Sequence, residues 1–183
     1  MKKTLILILT FVLMATLLVG CGGDKTNSEI KDPADIKGET FDGGNISAFV
    51  PDNWTAFHGV DIFDDYVDLG YDPNSIRIIK GGKDEMDIFT HPYMQINYYD
   101  SDTIMMEPAQ EWYTDTEEIE SFKLDNYTWH GFTGYSDEYK IAALWTNDTD
   151  QIEILSWIDQ EKGTINLDDA DFLAILSSIK ISD

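Results

Sequence analysis

Sulfur chemistry is nearly missing from this 183-residue chain, which has a single cysteine, Cys21. One thiol cannot close an intramolecular disulfide and falls short of any thiolate metal site. Positive charge is also scarce: 12 Lys plus Arg face 35 Asp plus Glu, a formal net charge of -23. A surface of that sign repels phosphate backbones and anionic headgroups, which excludes nucleic acid and a basic peripheral membrane patch. Nucleotide chemistry finds no footing either, because no GxGxxG or Walker-type loop occurs. Gly81-Gly82-Lys83 lacks the spacing that lets backbone amides wrap a phosphate. Long apolar runs are confined to the N-terminus.

That run is informative. Lys2 and Lys3 precede an almost unbroken apolar stretch from Leu5 to Leu18, short for a stable span and suited to a signal-peptide core. Leu18-Val19-Gly20-Cys21 follows, and residues 1 to 23 resemble a bacterial lipoprotein signal with its lipobox. The resemblance implies a signal peptide over 1–20, cleavage before Cys21, and diacylglyceryl and palmitate chains on that thiol. Two or more acyl chains suffice for stable anchoring, so the expected address is the cell membrane, with the chain on its extracytoplasmic face at the cell surface and the lipid bilayer as a first partner. Removing 1–20 takes away Lys2 and Lys3 and no acid, leaving 10 bases against 35 acids.

Residues 22 to 40 are rich in Gly, Asp, Lys, Asn, Ser, Thr, Glu and Pro with only Ile30 and Ile36 as large apolar groups, too few to repay ordering. We read 21–40 as an acylated flexible tether whose mean span is about 25 Å. The folded domain is then 41–183. Within it, short alternating segments read as strands: Ile46 to Val50, Trp54 to Phe57, Ile76 to Ile79, Tyr93 to Tyr99, Tyr127 to Tyr135, Tyr139 to Thr146 and Ile152 to Ile158. Two segments read as helices. Pro108 suits an early helical position, and Ala109, Trp112, Thr116 and Ile119 recur at helical spacing. Asp168 is a suitable N-cap for a second helix, whose apolar stripe is Phe172, Ile175, Leu176 and Ile179. The expected fold is α+β, an antiparallel sheet covered by two helices.

Ile46-Ser47-Ala48-Phe49-Val50-Pro51-Asp52-Asn53-Trp54, together with the closing Phe172-Leu173-Ala174-Ile175-Leu176-Ser177-Ser178-Ile179-Lys180-Ile181, resembles the PsbP-like family. The resemblance implies helices on an antiparallel sheet, a closing helix that runs into a short strand, and a non-catalytic accessory protein that docks on a larger complex. The matched positions pack the fold, so no binding residue follows from them.

Asp84 to Phe122 holds eleven acids and no Lys or Arg. On a helix, Glu107, Glu111 and Asp115 would stand at i, i+4 and i+8, each like-charge pair costing roughly 0.2 to 0.5 kcal/mol. Either this is a solvated acidic face, or a hard cation such as calcium, or a cationic partner, offsets the repulsion. Gly163-Thr164-Ile165-Asn166 imitates the second half of a calcium loop, but the register places Ile158, Gln160 and Lys162 where oxygen ligands are required, so Lys162-Gly163 reads as a turn. His58, His91 and His130 form no HExxH or His-x-His pattern, and Ser136, Ser156 and Ser177 lack the Gly-x-Ser-x-Gly elbow. All five tryptophans, Trp54, Trp112, Trp129, Trp145 and Trp157, sit in periodic elements, and most are expected in the core. The reading is a non-enzymatic binding module without a resident cofactor that docks on an unidentified envelope protein. Two alternatives stand beside it, a secreted glycan hydrolase using a carboxylate pair and an acidic cation-binding module.

Overall fold

The structure, a computed structural model, describes residues 35–62, 65–100, 105, 107–148 and 150–182. The signal segment 1–20, Cys21 and the tether as far as residue 34 lie outside the described residues. Twelve strands follow in chain order: β1 (Gly38–Asp42), β2 (Ile46–Pro51), β3 (Trp54–Gly59), β4 (Asp72–Lys80), β5 (Tyr93–Tyr99), β6 (Thr114–Leu124), β7 (Tyr127–Ser136), β8 (Tyr139–Thr146), β9 (Gln151–Trp157), β10 (Asp159–Gln160), β11 (Gly163–Thr164) and β12 (Lys180–Ile181), with one α-helix, α1 (Ala170–Ser178), before the last. β1 opens at Gly38, ahead of the expected domain start at 41.

Seven strands form an antiparallel sheet in the order β3-β4-β5-β9-β8-β7-β6. Sequence neighbours pair on both sides of one exception, the β5–β9 contact, which runs from Tyr93 opposite Trp157 to Tyr99 opposite Gln151. Two-residue turns at Asp125-Asn126 and Asp137-Glu138 close the β6–β7 and β7–β8 hairpins. Asp125 and Asp137 take φ of 49° and 54°, a region aspartate tolerates because its short polar side chain bonds locally. A second antiparallel sheet has the order β1-β2-β12, and β10 with β11 makes a small hairpin. Its turn is Glu161-Lys162, one residue before the expected Lys162-Gly163, and Gly163 opens β11 opposite Gln160.

Alternation divides the large sheet into two unlike faces. On one, Ile76 and Ile78, Met94 and Ile96, Ile152 and Ile154, and Leu144 and Trp129 are buried in a single cluster with Ile46, Ala48 and Val50 of β2 and Phe172, Ile175 and Leu176 of α1. β12 then pairs with β2, fixing the chain end against the helix it follows. On the opposite face Phe132, Ile141 and Ala143 form a smaller buried group, with Tyr113, Trp145, Leu155 and Trp157 half-covering it. Tyr93 stacks on Trp157 there at 4.6 Å between ring centroids.

The expected sheet covered by two helices is not what forms. The described residues are mostly β, with one α-helix among them. The segment read as the first helix is instead a single 3-10 turn, Gln110–Trp112, followed by the extended β6. The reason is local. β6 shifts register between Thr114 and Glu117 and again between Ile119 and Phe122. Each bulge inserts unpaired residues, so the inward side chains Ile119, Phe122 and Leu124 lose strict alternation and imitate helical spacing. The extended β6 also carries Asp115 away from Glu107 and Glu111, with which a helix would have stacked it. Trp112, expected in the core, is 76% exposed. The second helix is present with Phe172, Ile175, Leu176 and Ile179 buried, but its N-cap is Asp169 rather than Asp168.

Phe172→Ala removes a ring with no exposed area and is expected to cost about 3 to 5 kcal/mol in urea unfolding. Trp112→Ala is expected to change stability by less than about 0.5 kcal/mol. A large loss for Trp112→Ala would mean that the 107–113 segment packs as a helix after all.

Candidate functional site

Because β9 takes the place beside β5, β6 becomes the outer strand of the large sheet. It is eleven residues long and carries Asp115, Glu117, Glu118 and Glu120 against one base, Lys123. The chain reaches it through the 107–113 segment, whose Tyr113 packs against Phe132 at 5.4 Å between ring centroids on the wetter face. Between this segment and the sheet lies a cavity of about 580 Å³, lined by Glu107, Glu111, Glu118, Ser121, His130 and Trp145 among others.

The cavity's chemistry follows from what its side chains lack. Among the described residues the two ion pairs are Lys80–Asp169 at 3.3 Å and His91–Asp87 at 3.5 Å, both elsewhere. Glu107, Glu111 and Glu118 therefore face solvent without a cation or a hydrogen-bond donor from the described residues. His130 Nδ1 and Ser121 Oγ share a hydrogen bond at 2.9 Å that ties β7 to β6 beside the second bulge. No carboxylate hydrogen-bonds His130 among the described residues, so the acid–histidine–serine relay of a hydrolase is not assembled. The His130 and Trp145 rings lie 6.1 Å apart at the cavity wall. An indole face beside three carboxylates is a setting for a cationic side chain rather than for an anion.

Of the residues expected to share one acidic face, Glu107 and Glu111 line this cavity, whereas Asp115 does not; it sits in the first bulge of β6 with φ of 49°. Glu118 takes the third place. Among the described residues no three His, Cys, Asp or Glu side chains are placed to hold a metal ion. The remaining histidines are apart from the cavity: His58 lies between Phe41 and Tyr71, stacking on the latter at 3.9 Å, and His91 lies beside Asp87. Sequence reasoning passed over Glu118 and Ser121, and set His130 aside because it belongs to no HExxH or His-x-His pattern. The signal available for them was the strand reading of 114–124: β6 pairs Glu118 with Phe132 of β7, two residues from His130, and its second bulge brings Ser121 to His130.

A second cleft, of about 270 Å³, opens where the segment around Asp61 and Tyr66 meets the ends of β4 and β5. Its polar groups are already engaged. Ser75 Oγ and Gln95 Nε2 donate to Asn97 Oδ1 at 2.8 and 3.0 Å, and Asn97 Nδ2 and Tyr99 OH donate to Glu153 Oε2 at 3.3 and 2.8 Å. Asp61 accepts the Asp65 and Tyr66 amides. The network braces the sheet and leaves few groups for a ligand. Asp72 belongs to this cleft, and burial pushes its carboxyl above the ordinary range, with Asp61 and Asp65 adding to the rise and the Asn74 amide opposing it.

Comparison of the chain with protein-family models finds no match, and comparison with curated proteins finds none. The resemblance to the PsbP-like family therefore rests on its two end motifs alone.

Between the ordinary carboxylate pKa and the raised value of Asp72, the folded chain binds more protons than the unfolded one, so this group's contribution to stability falls as pH rises. At neutral pH its ionised form is a net cost. Asp72→Asn keeps an Oδ1 acceptor for the Asn74 amide, bonded at 2.9 Å, and removes the charge. Thermal melts from about pH 3 to 7 are expected to show the variant gaining up to about 1 kcal/mol at the neutral end and none at the acid end, the gain being limited by solvent screening. A loss at neutral pH would contradict this account.

Proposed function

We propose that this protein is a lipid-anchored, extracytoplasmic docking module without catalytic activity, which holds a basic partner protein through the β6 margin. The observation that carries the reading is the set of cavity carboxylates, Glu107, Glu111 and Glu118, without a cationic partner among the described residues. Unpaired charges in a concave site attract a complementary surface, raise its association rate and exclude partners of like sign. The net charge of -23 extends that bias over the whole chain. Acylation of Cys21 supplies the membrane attachment, and the tether supplies reach to a neighbouring envelope protein. The accessory role is also what the PsbP-like resemblance implies.

A second reading, a glycan hydrolase working through a carboxylate pair, is favoured by one observation, the raised carboxyl of Asp72 in the smaller cleft. It requires that Asp72→Asn abolish release of reducing sugar from cell-wall glycan.

In-cell photocrosslinking separates the two. A photoreactive residue at position 111 or 118 is expected to give one dominant adduct with an envelope protein of basic surface, and the same residue at position 159, on the β10 hairpin, none. The adduct should be lost in the Cys21→Ala form. Absence of an adduct from both cavity positions would sink the docking reading.

A further inference from the structure

We infer that the partner engages by strand addition: an extended, lysine- or arginine-rich segment pairs with the outer edge of β6 around Glu117–Ile119 and places a basic side chain in the adjoining acidic cavity. The inference rests on the docking reading and names its mode and the partner's chemistry.

The backbone supplies the first argument. Among the described residues β6 ends the large sheet and pairs only with β7. Each strand hydrogen-bonds to both sides, so a terminal strand presents a row of unpaired N–H and C=O groups along its free edge. Outside the strand ladders, no backbone hydrogen bond among the described residues involves 114–124. The edge is long, and its ladder with β7 is regular over Glu117–Ile119 and Phe122–Leu124. The first of these stretches adjoins the cavity, since Glu118 and Ile119 belong to both.

Charge selects the occupant. A second copy of this chain pairing edge to edge would set Asp115, Glu117, Glu118 and Glu120 against the same four acids, and like charges across a strand pair are destabilising. An acidic or phosphorylated segment meets the same obstacle. A basic extended segment meets the reverse: main-chain bonds give affinity, and alternate side chains fall beside Glu118 and the cavity, where Glu107, Glu111 and the Trp145 indole receive a cation. The acids along β6 thus guard a free edge against self-association and leave it open to one class of strand.

The test uses the full-length chain in neutral detergent micelles and a ten-residue peptide of alternating lysine and threonine. A control peptide has the same sequence with N-methyl groups on alternate amides, which retains every charge and removes main-chain donors from one edge. Strand addition is expected to weaken binding at least tenfold on N-methylation, and to bring new amide-exchange protection to β6 on binding of the parent peptide. Glu117→Gln/Glu118→Gln/Glu120→Gln, all exposed positions, should weaken the parent peptide further while leaving the far-ultraviolet circular dichroism unchanged. Equal binding of both peptides, or protection confined to other strands, overturns strand addition while leaving charge-driven docking in place. Failure of the parent peptide to bind overturns it as well, and the docking reading then stands or falls by the crosslinks from positions 111 and 118.

Discussion

The pairing of β5 with β9 is the contact on which the rest of the molecule depends. β3, β4 and β5 form one meander and β6 to β9 another, and only this pairing makes them one sheet. It joins segments far apart in sequence, so its loop-closure cost has to be offset by what it buries. Met94 lies opposite Ser156 and Ile96 opposite Ile154 on the core face, all four buried, and the Tyr93–Trp157 stack completes the other face. The choice of β9 rather than β6 as the neighbour of β5 decides which strand is left outermost. It is the acidic one.

Seven strands were legible in the sequence because their Ile, Val, Leu and aromatic residues alternate in runs bounded by Gly, Asn and Asp. Those are the strands with neighbours on the sheet or a buried face, where packing enforces period two. β6 was not legible as a strand. Its two bulges break the alternation, and Ala109, Trp112, Thr116 and Ile119 then satisfy a helical template by coincidence. β1, with the sequence Gly38-Glu39-Thr40-Phe41-Asp42, was hidden for another reason: only Phe41 is partly buried and the rest is exposed. Its strand character comes from β2, which it pairs with over five positions.

The site was half legible for the same reasons. An excess of acid between Asp84 and Phe122 is plain from composition, and Glu107 and Glu111 do share a cavity. The assignment of Asp115 as their companion relied on the helix and fell with it, while Glu118 on the strand took that position. Charge pattern thus survives a wrong secondary structure, but the grouping of particular carboxylates does not. The core face and the acidic margin also differ in kind. Buried isoleucines and Phe172 fix the fold, whereas the exposed acids of β6 contribute little to it and are free to serve an outside partner.

An open β6 edge in the free protein is the central claim, and residue-resolved amide hydrogen exchange tests it most directly. The account expects an alternating pattern across Thr114–Leu124: amides that bond to β7 exchange slowly, and those on the outer edge exchange at nearly the rate of an unstructured chain. Uniform protection along the segment would contradict it, because it would mean either a helix or an edge already covered by the chain itself.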